Sequence, residues 1–156
     1  MHLFLQVMQS IFNPVDNAML IDRINQLSAT AHPLWGKMDA AQMMAHLQAG
    51  INIAFGNSPK TRHWIGRVFG SIGKRRLLKT DKLDRLMPTF KQAEITDMRN
   101  FKDEKDKLIV LIKSALIKGP GCLVKYPHPY FGTFKNDEWA QLNWKHMDHH
   151  LRQFGV

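Results

Sequence analysis

KNDEWAQLNWKHMDHHLRQFG, residues 135–155, is the stretch on which the fold turns. Trp139, Leu142, His146, His150 and Phe154 recur at intervals of three and four, which puts them on one face of a helix. Asp137 and Glu138 stand where the positive end of a helix dipole favours acids. Thr133 or Asn136 is placed to cap the start. The segment predicts a helix from about 135 to 153 with an inward stripe of two aromatics, one leucine and two histidines.

Working back along the chain, three more segments carry helix start and stop signals. Residues 14–27 follow a capping Asn13, with Pro14 in the first helical position and Leu20, Ile24 and Leu27 sharing a face. Residues 40–55 follow Asp39, and Gln42 three positions on completes a capping box. Met43, Leu47, Ile51 and Ala54 form the apolar stripe, and Gly56 and Pro59 end the helix. Residues 101–118 repeat Leu108, Ile112 and Ala115 before Gly119-Pro120 stops them. Trp64 to Leu78 is amphipathic enough for an extra helix, although Gly66, Gly70 and Gly73 each weigh about 1 kcal/mol against it. Cys122-Leu-Val is the one short strand candidate. These elements predict an all-α protein, most simply a four-helix bundle with a long basic connection between its second and third helices, in a single domain over residues 1–156.

Composition bounds the class further. The chain has 156 residues and ordinary apolar content, enough for one real core. The single cysteine, Cys122, excludes an internal disulfide, so packing must hold the fold, as in a reducing compartment. The N-terminal MHLFLQVMQSIF lacks a leading Lys or Arg and is broken by Gln6, Gln9 and Ser10, unlike a secretory signal. It reads as a short apolar arm or a first helical turn. No stretch approaches a membrane span in length, and a cytoplasmic location is the simplest expectation.

Eight histidines are many for this length. His146 and His150 lie one helical turn apart, so both imidazoles can face one ion. Such a pair is also common as plain core or surface histidines. His149 is rotated about 100° from His150 and makes a worse partner. Asp148, two positions from both, points elsewhere. His46, in the middle of the second helix, is either a satisfied core residue or a ligand facing the last helix. Gly50, one turn on, leaves room for a facing ring.

Three blocks carry a resemblance: PLWGKMDAAQMMAHL (33–47), HPYFGTFKNDEW (128–139) and WKHMDHHLRQFG (144–155). Together they resemble the DinB/YfiT-like superfamily of metalloenzymes, most closely a set of bacterial proteins within it. The third block is the most specific, since H-x-x-H-H followed by a glutamine recurs there. The resemblance implies a four-helix bundle and a divalent metal site of three histidines: His46 from the second helix, His146 and His150 from the last. His149 falls on the middle histidine of the motif and Gln153 on its glutamine, and both are expected to support the ligands from behind. Some members are thiol S-transferases using small bacterial thiols or glutathione. Here the run reads HHLRQ where HHRGQ is common, a departure that bears on that activity.

Three neutral imidazoles leave an ion its full charge and at least one open position, the mark of a catalytic site. The donor set suits zinc, nickel or ferrous iron. Such an ion acidifies a bound water or thiol, which is the link to S-transfer or hydrolysis. The leading expectation is therefore a metal-dependent transferase or hydrolase acting on a small molecule. No clear general base stands out; His128, in the loop before the last helix, is the candidate at the rim of the site. Tyr130 and Phe131 beside it fit a packed loop histidine equally well.

The basic segment between Lys60 and Lys91 holds ten Lys and Arg against two acids, within a chain of net charge +9. It could recruit an anionic substrate such as a carboxylate-rich thiol. It could also touch nucleic acid, or an anionic membrane surface with Trp64, Ile65, Val68 and Phe69 as the apolar side. A solvated basic face without a partner is the plainest reading. No nucleic-acid motif is present. The alternative to an enzyme is thus a binding or scaffold protein, a homodimer for instance, with a degenerate metal site and an anionic partner on residues 60–91.

Overall fold

The computed structural model describes residues 8–57, 64–80, 82–85, 87, 93–123 and 126–156. Among them five α-helices follow one another: α1 (Pro14–Gln26), α2 (Ala40–Ala54), α3 (Trp64–Lys79), α4 (Phe101–Lys118) and α5 (Asn136–Gln153). A 3-10 turn, Pro120–Cys122, follows α4. The described residues contain no strand, only an isolated bridge between His128 and Gly132. The protein is all-helical. Cys122, expected to open a short strand, instead closes the 3-10 turn; Val124 lies outside the described residues.

The caps explain the boundaries. The Asn13 side chain accepts from the backbone N–H groups of Val15 and Asp16, and Pro14 follows it. Asp39 and Gln42 exchange side-chain-to-backbone bonds of 2.8 and 3.0 Å. Asn100 caps α4 through the Asp103 N–H. At α5 the expected caps, Thr133 and Asn136, are not used. Glu138 reaches back instead to accept from the Lys135 N–H at 2.7 Å.

The stripes seen in the sequence meet in one core. Met43, Met44, Leu47 and Ile51 of α2 lie among Leu20 and Ile24 of α1, Leu108 and Ile112 of α4, and Met147 and Leu151 of α5. Ile11, at the end of the N-terminal arm, is fully buried there; residues 1–7 of that arm lie outside the described residues. A smaller cluster joins Ile53, Ala54, Leu123, Phe134 and Trp139. In space α1 packs on α4 and α5, and α2 packs on the same two helices.

Each of these four contacts also carries a polar tie. Asn17 of α1 donates to the carbonyls of Ile11 and, on α4, Ile112. Gln48 of α2 donates to the Glu104 carboxylate of α4 at 2.8 Å. Arg23 of α1 pairs with Asp148 of α5 at 2.9 Å and also donates to the Val156 carbonyl. Between α2 and α5 the tie is the histidine pair described below. Buried polar groups of this kind fix which helices are neighbours, since a swapped helix would leave them unpaired.

The extra helix expected at 64–78 is α3, and its three glycines have a reason. They occupy one face, and a Cβ on Gly66 or Gly70 would run into the backbone of Tyr130, while one on Gly73 would crowd the Phe131 ring. The glycines thus let the 129–131 turn lie directly on the helix. Polar contacts fasten it. The buried Lys145 of α5 donates to the carbonyls of Leu77, Leu78 and Thr80, at 3.2, 3.1 and 2.6 Å, covering the C-terminal end of α3. Lys74 pairs with Glu138 at 2.6 Å and donates to the Thr133 carbonyl. The long basic connection is therefore partly a docked helix. Its Lys60, Arg62 and Lys91, with the Ile65 side chain, lie outside what the structure describes. None of the described helices is long and apolar enough to cross a membrane.

Candidate metal centre

His46 lies at the middle of α2, facing His146 and His150 on successive turns of α5. The three ring centroids are 4.7 to 4.9 Å apart, each pair edge-on. Nε2 of His46 and Nε2 of His146 are 2.9 Å apart. One nitrogen from each of the three rings lies within 4.8 Å of the others, a group that could hold a metal ion. Ligand nitrogens bonded to zinc at about 2.0–2.1 Å stand about 3.3 Å apart in a tetrahedral site, a separation bracketed by these two distances.

The second nitrogen of two of these rings is held from behind. His46 Nδ1 is 2.7 Å from the Ala93 carbonyl, which can only accept, so Nδ1 carries the hydrogen and Nε2 keeps its lone pair. His150 Nδ1 is 2.8 Å from Oε1 of Gln153. The Gln153 amide is itself oriented, because its Nε2 donates to the Trp35 carbonyl at 2.5 Å. Oε1 must then face His150 and accept from it, again leaving Nε2 free. The Gln153 backbone carbonyl accepts from Leu34 N–H at 2.7 Å. Gly36, at φ +84, brings this loop onto Gln153, and a Cβ there would stand 2.5 Å from the amide nitrogen. Metal-ligating histidines characteristically have their other nitrogen fixed in this way.

Gly50 makes the space for His146. A Cβ at position 50 would lie 2.7 Å from Nδ1 and 2.9 Å from Cε1 of that ring. His46 and His150 are buried, and His146 is half-buried.

Electrostatics keep the group neutral. Burial pushes the His46 pKa down against the opposing pull of the Ala93 carbonyl. Burial, then the neighbouring His46, lowers His150 to about 3. His146 is held well below its ordinary value, first by burial and then by His46 and His150. Neutral imidazoles with inward lone pairs are the form that binds a cation.

The remaining candidates take other places. His149 is buried edge-on against Trp35 and His150, with a hydrogen bond to the Leu83 backbone, and its pKa is lowered mainly by burial. His128, expected at the rim, is buried against Phe131, Phe134 and Trp139. Its Nδ1 accepts from the N–H groups of Tyr130 and Phe131, and burial lowers its pKa to about 4. Asp148 points away, as its spacing required, held by Arg23 and Arg152.

Sequence reasoning missed the carbonyls of Ala93 and Trp35, which no side-chain pattern marks. It also missed Lys145, although Lys145 shares a helix face with Leu142 and His149 and is therefore spaced for burial.

The chain belongs to the family described as Protein of unknown function (DUF1569), whose model matches residues 6–155. No curated protein and no solved structure matches it significantly.

Proposed function

We propose that this DUF1569 protein is a divalent-metal-dependent enzyme, a transferase or hydrolase acting on a small molecule, with His46, His146 and His150 as the metal ligands. The observation that carries this reading is the pair of fixed tautomers. His46 and His150 have their Nδ1 atoms committed to acceptors, so each keeps its lone pair on Nε2, and His46 Nε2 lies 2.9 Å from His146 Nε2. Three neutral donors suit zinc, nickel or ferrous iron and leave part of the coordination sphere for a substrate. The order of packing, α1 and α2 each against α4 and α5, supports a four-helix bundle of the DinB/YfiT-like type with α3 added on its outside.

A bound ion supplies Lewis acidity, lowering the pKa of a water or thiol placed on it. The residues of the chain set the conditions for this. Ala93 and Gln153 hold two rings in position, and burial keeps them uncharged. His146, half-buried, is the ligand nearest to solvent access. Asp148 is committed to two arginines, and His128 Nδ1 to two backbone donors, so neither serves as a free base. Such a site favours substrates acidified by the ion itself, and a low-molecular-weight thiol is the leading class.

The test loads the purified chain with zinc, nickel or ferrous iron and offers small thiols with an electrophilic acceptor, and ester or amide substrates in parallel. Turnover that chelation abolishes and one equivalent of ion restores supports the reading. A loaded chain inert toward every thiol and hydrolysable substrate counts against an enzyme, in favour of a binding role.

A further inference from the structure

The inner side of α3 is fastened by the glycine face, Lys145 and Lys74, which fixes what its outer side presents. Trp64, Val68, Phe69 and Ile72 are 67, 59, 58 and 67 % exposed. Residues 64, 68 and 72 stand one above another along the helix, with Phe69 beside them. Arg75 and Lys79 continue the same face toward the C-terminal end, Arg76 flanks it, and all three are exposed. The helix contains no acidic residue. Asp84 pairs with Arg76 at 2.9 Å, but both side chains are largely in water, where such a pair is weak.

Four large apolar side chains beside three cations match a surface that is itself apolar below and anionic above. We infer that the outer face of α3 docks on an anionic lipid bilayer, with Trp64, Val68, Phe69 and Ile72 entering the acyl boundary and Arg75, Arg76 and Lys79 meeting lipid phosphates. Nucleic acid would use the cations and leave the apolar row in water. A second copy of the chain would set like charges against each other. A bilayer uses both halves of the face. The inference is independent of the metal reading, because the three histidines lie between α2 and α5.

The full chain is floated with vesicles of phosphatidylcholine containing about 30 % phosphatidylglycerol, and with phosphatidylcholine alone, at about 0.1 M salt. The wild type is expected to float with the anionic vesicles only. Two triple variants, Val68→Ser/Phe69→Ser/Ile72→Ser and Arg75→Gln/Arg76→Gln/Lys79→Gln, are each expected to bind at least about tenfold less, since each cation near an anionic surface is worth about fivefold. All six side chains are exposed, so unchanged circular dichroism checks that the fold survives. The proposal is overturned if the wild type stays behind with anionic vesicles. It is equally overturned if the apolar variant floats as well as the wild type, or if the chain binds single-stranded or duplex nucleic acid but no vesicle.

Discussion

His46 and His146 are a hundred residues apart in the chain, yet their Nε2 atoms approach to 2.9 Å across the α2–α5 contact. His46 Nδ1 holds its hydrogen on the Ala93 carbonyl, so His46 Nε2 is an acceptor. In the ion-free chain His146 must then donate from Nε2. A cation between the rings requires both lone pairs, and His146 can supply its own only by moving its hydrogen to Nδ1. Nitrogen-15 spectra of the imidazoles should therefore show the Nδ1–H tautomer for His46 and His150 and the Nε2–H tautomer for His146 in metal-free protein. Adding zinc should switch His146 alone. An Nε2–H signal from His46 or His150 would break this assignment.

Gly50→Ala tests the space around His146. Alanine is the better helix former by about 1 kcal/mol, so the substitution should not unfold α2. Its methyl would meet the His146 ring at 2.7 Å and push it off its position. Zinc affinity, measured by competition with a chelating dye, should fall about tenfold or more while helicity is kept. Wild-type affinity in this variant would mean that His146 needs no such room.

Gln153 tests the support behind His150. Gln153→Leu removes both the acceptor for His150 and the donor to Trp35, and should lower zinc affinity about 10- to 100-fold, the range seen when such outer partners are lost. Gln153→Glu keeps an acceptor for His150 but cannot donate to the Trp35 carbonyl. It should retain more affinity than the leucine variant at a lower thermal midpoint than the wild type. Equal affinity in the leucine variant and the wild type would remove Gln153 from the site.

The pattern of what was legible follows from range. The bounds of α1 and α2 were readable because caps such as Asn13, and Asp39 with Gln42, act within three residues of one another. Those of α4 and α5 were readable from their apolar repeats, with Gly119-Pro120 as the stop after α4. His146 and His150 were readable as a pair because helix geometry alone sets their relation. Their meeting with His46 depends on packing, and only the family resemblance raised it as an expectation. The Ala93 and Trp35 carbonyls, the Arg23–Asp148 pair and the Lys145 contact with the end of α3 join segments far apart in sequence. Cys122-Leu-Val misled because three β-tolerant residues carry little information beside the Gly119-Pro120 turn that precedes them. The glycines of α3 counted against a helix on propensity, and tertiary packing against Tyr130 overrode it.

His128, which is not among the three proposed ligands, gives a pH dependence of stability of its own. Its pKa falls from the ordinary 6.5 to about 4 on folding. The unfolded chain therefore takes up a proton below pH 6.5 that the folded chain refuses. Stability from this group is full above pH 6.5 and declines as the pH falls from there toward 4. Between pH 7 and 5 the decline is about 2 kcal/mol. Urea unfolding at both values should show this drop in the wild type, and a drop smaller by about that amount in His128→Phe, whatever the variant's own stability. The same pH slope in both proteins would show that His128 titrates normally when folded.

The most direct test of the central claim is metal content. The untagged protein and a His46→Ala/His146→Ala/His150→Ala variant are incubated with zinc, nickel or ferrous iron, dialysed, and analysed by elemental mass spectrometry. The account predicts about one equivalent of one of these metals in the parent and none in a variant that keeps its helical circular dichroism. A parent that retains no metal, or a folded variant that retains as much as the parent, would contradict it.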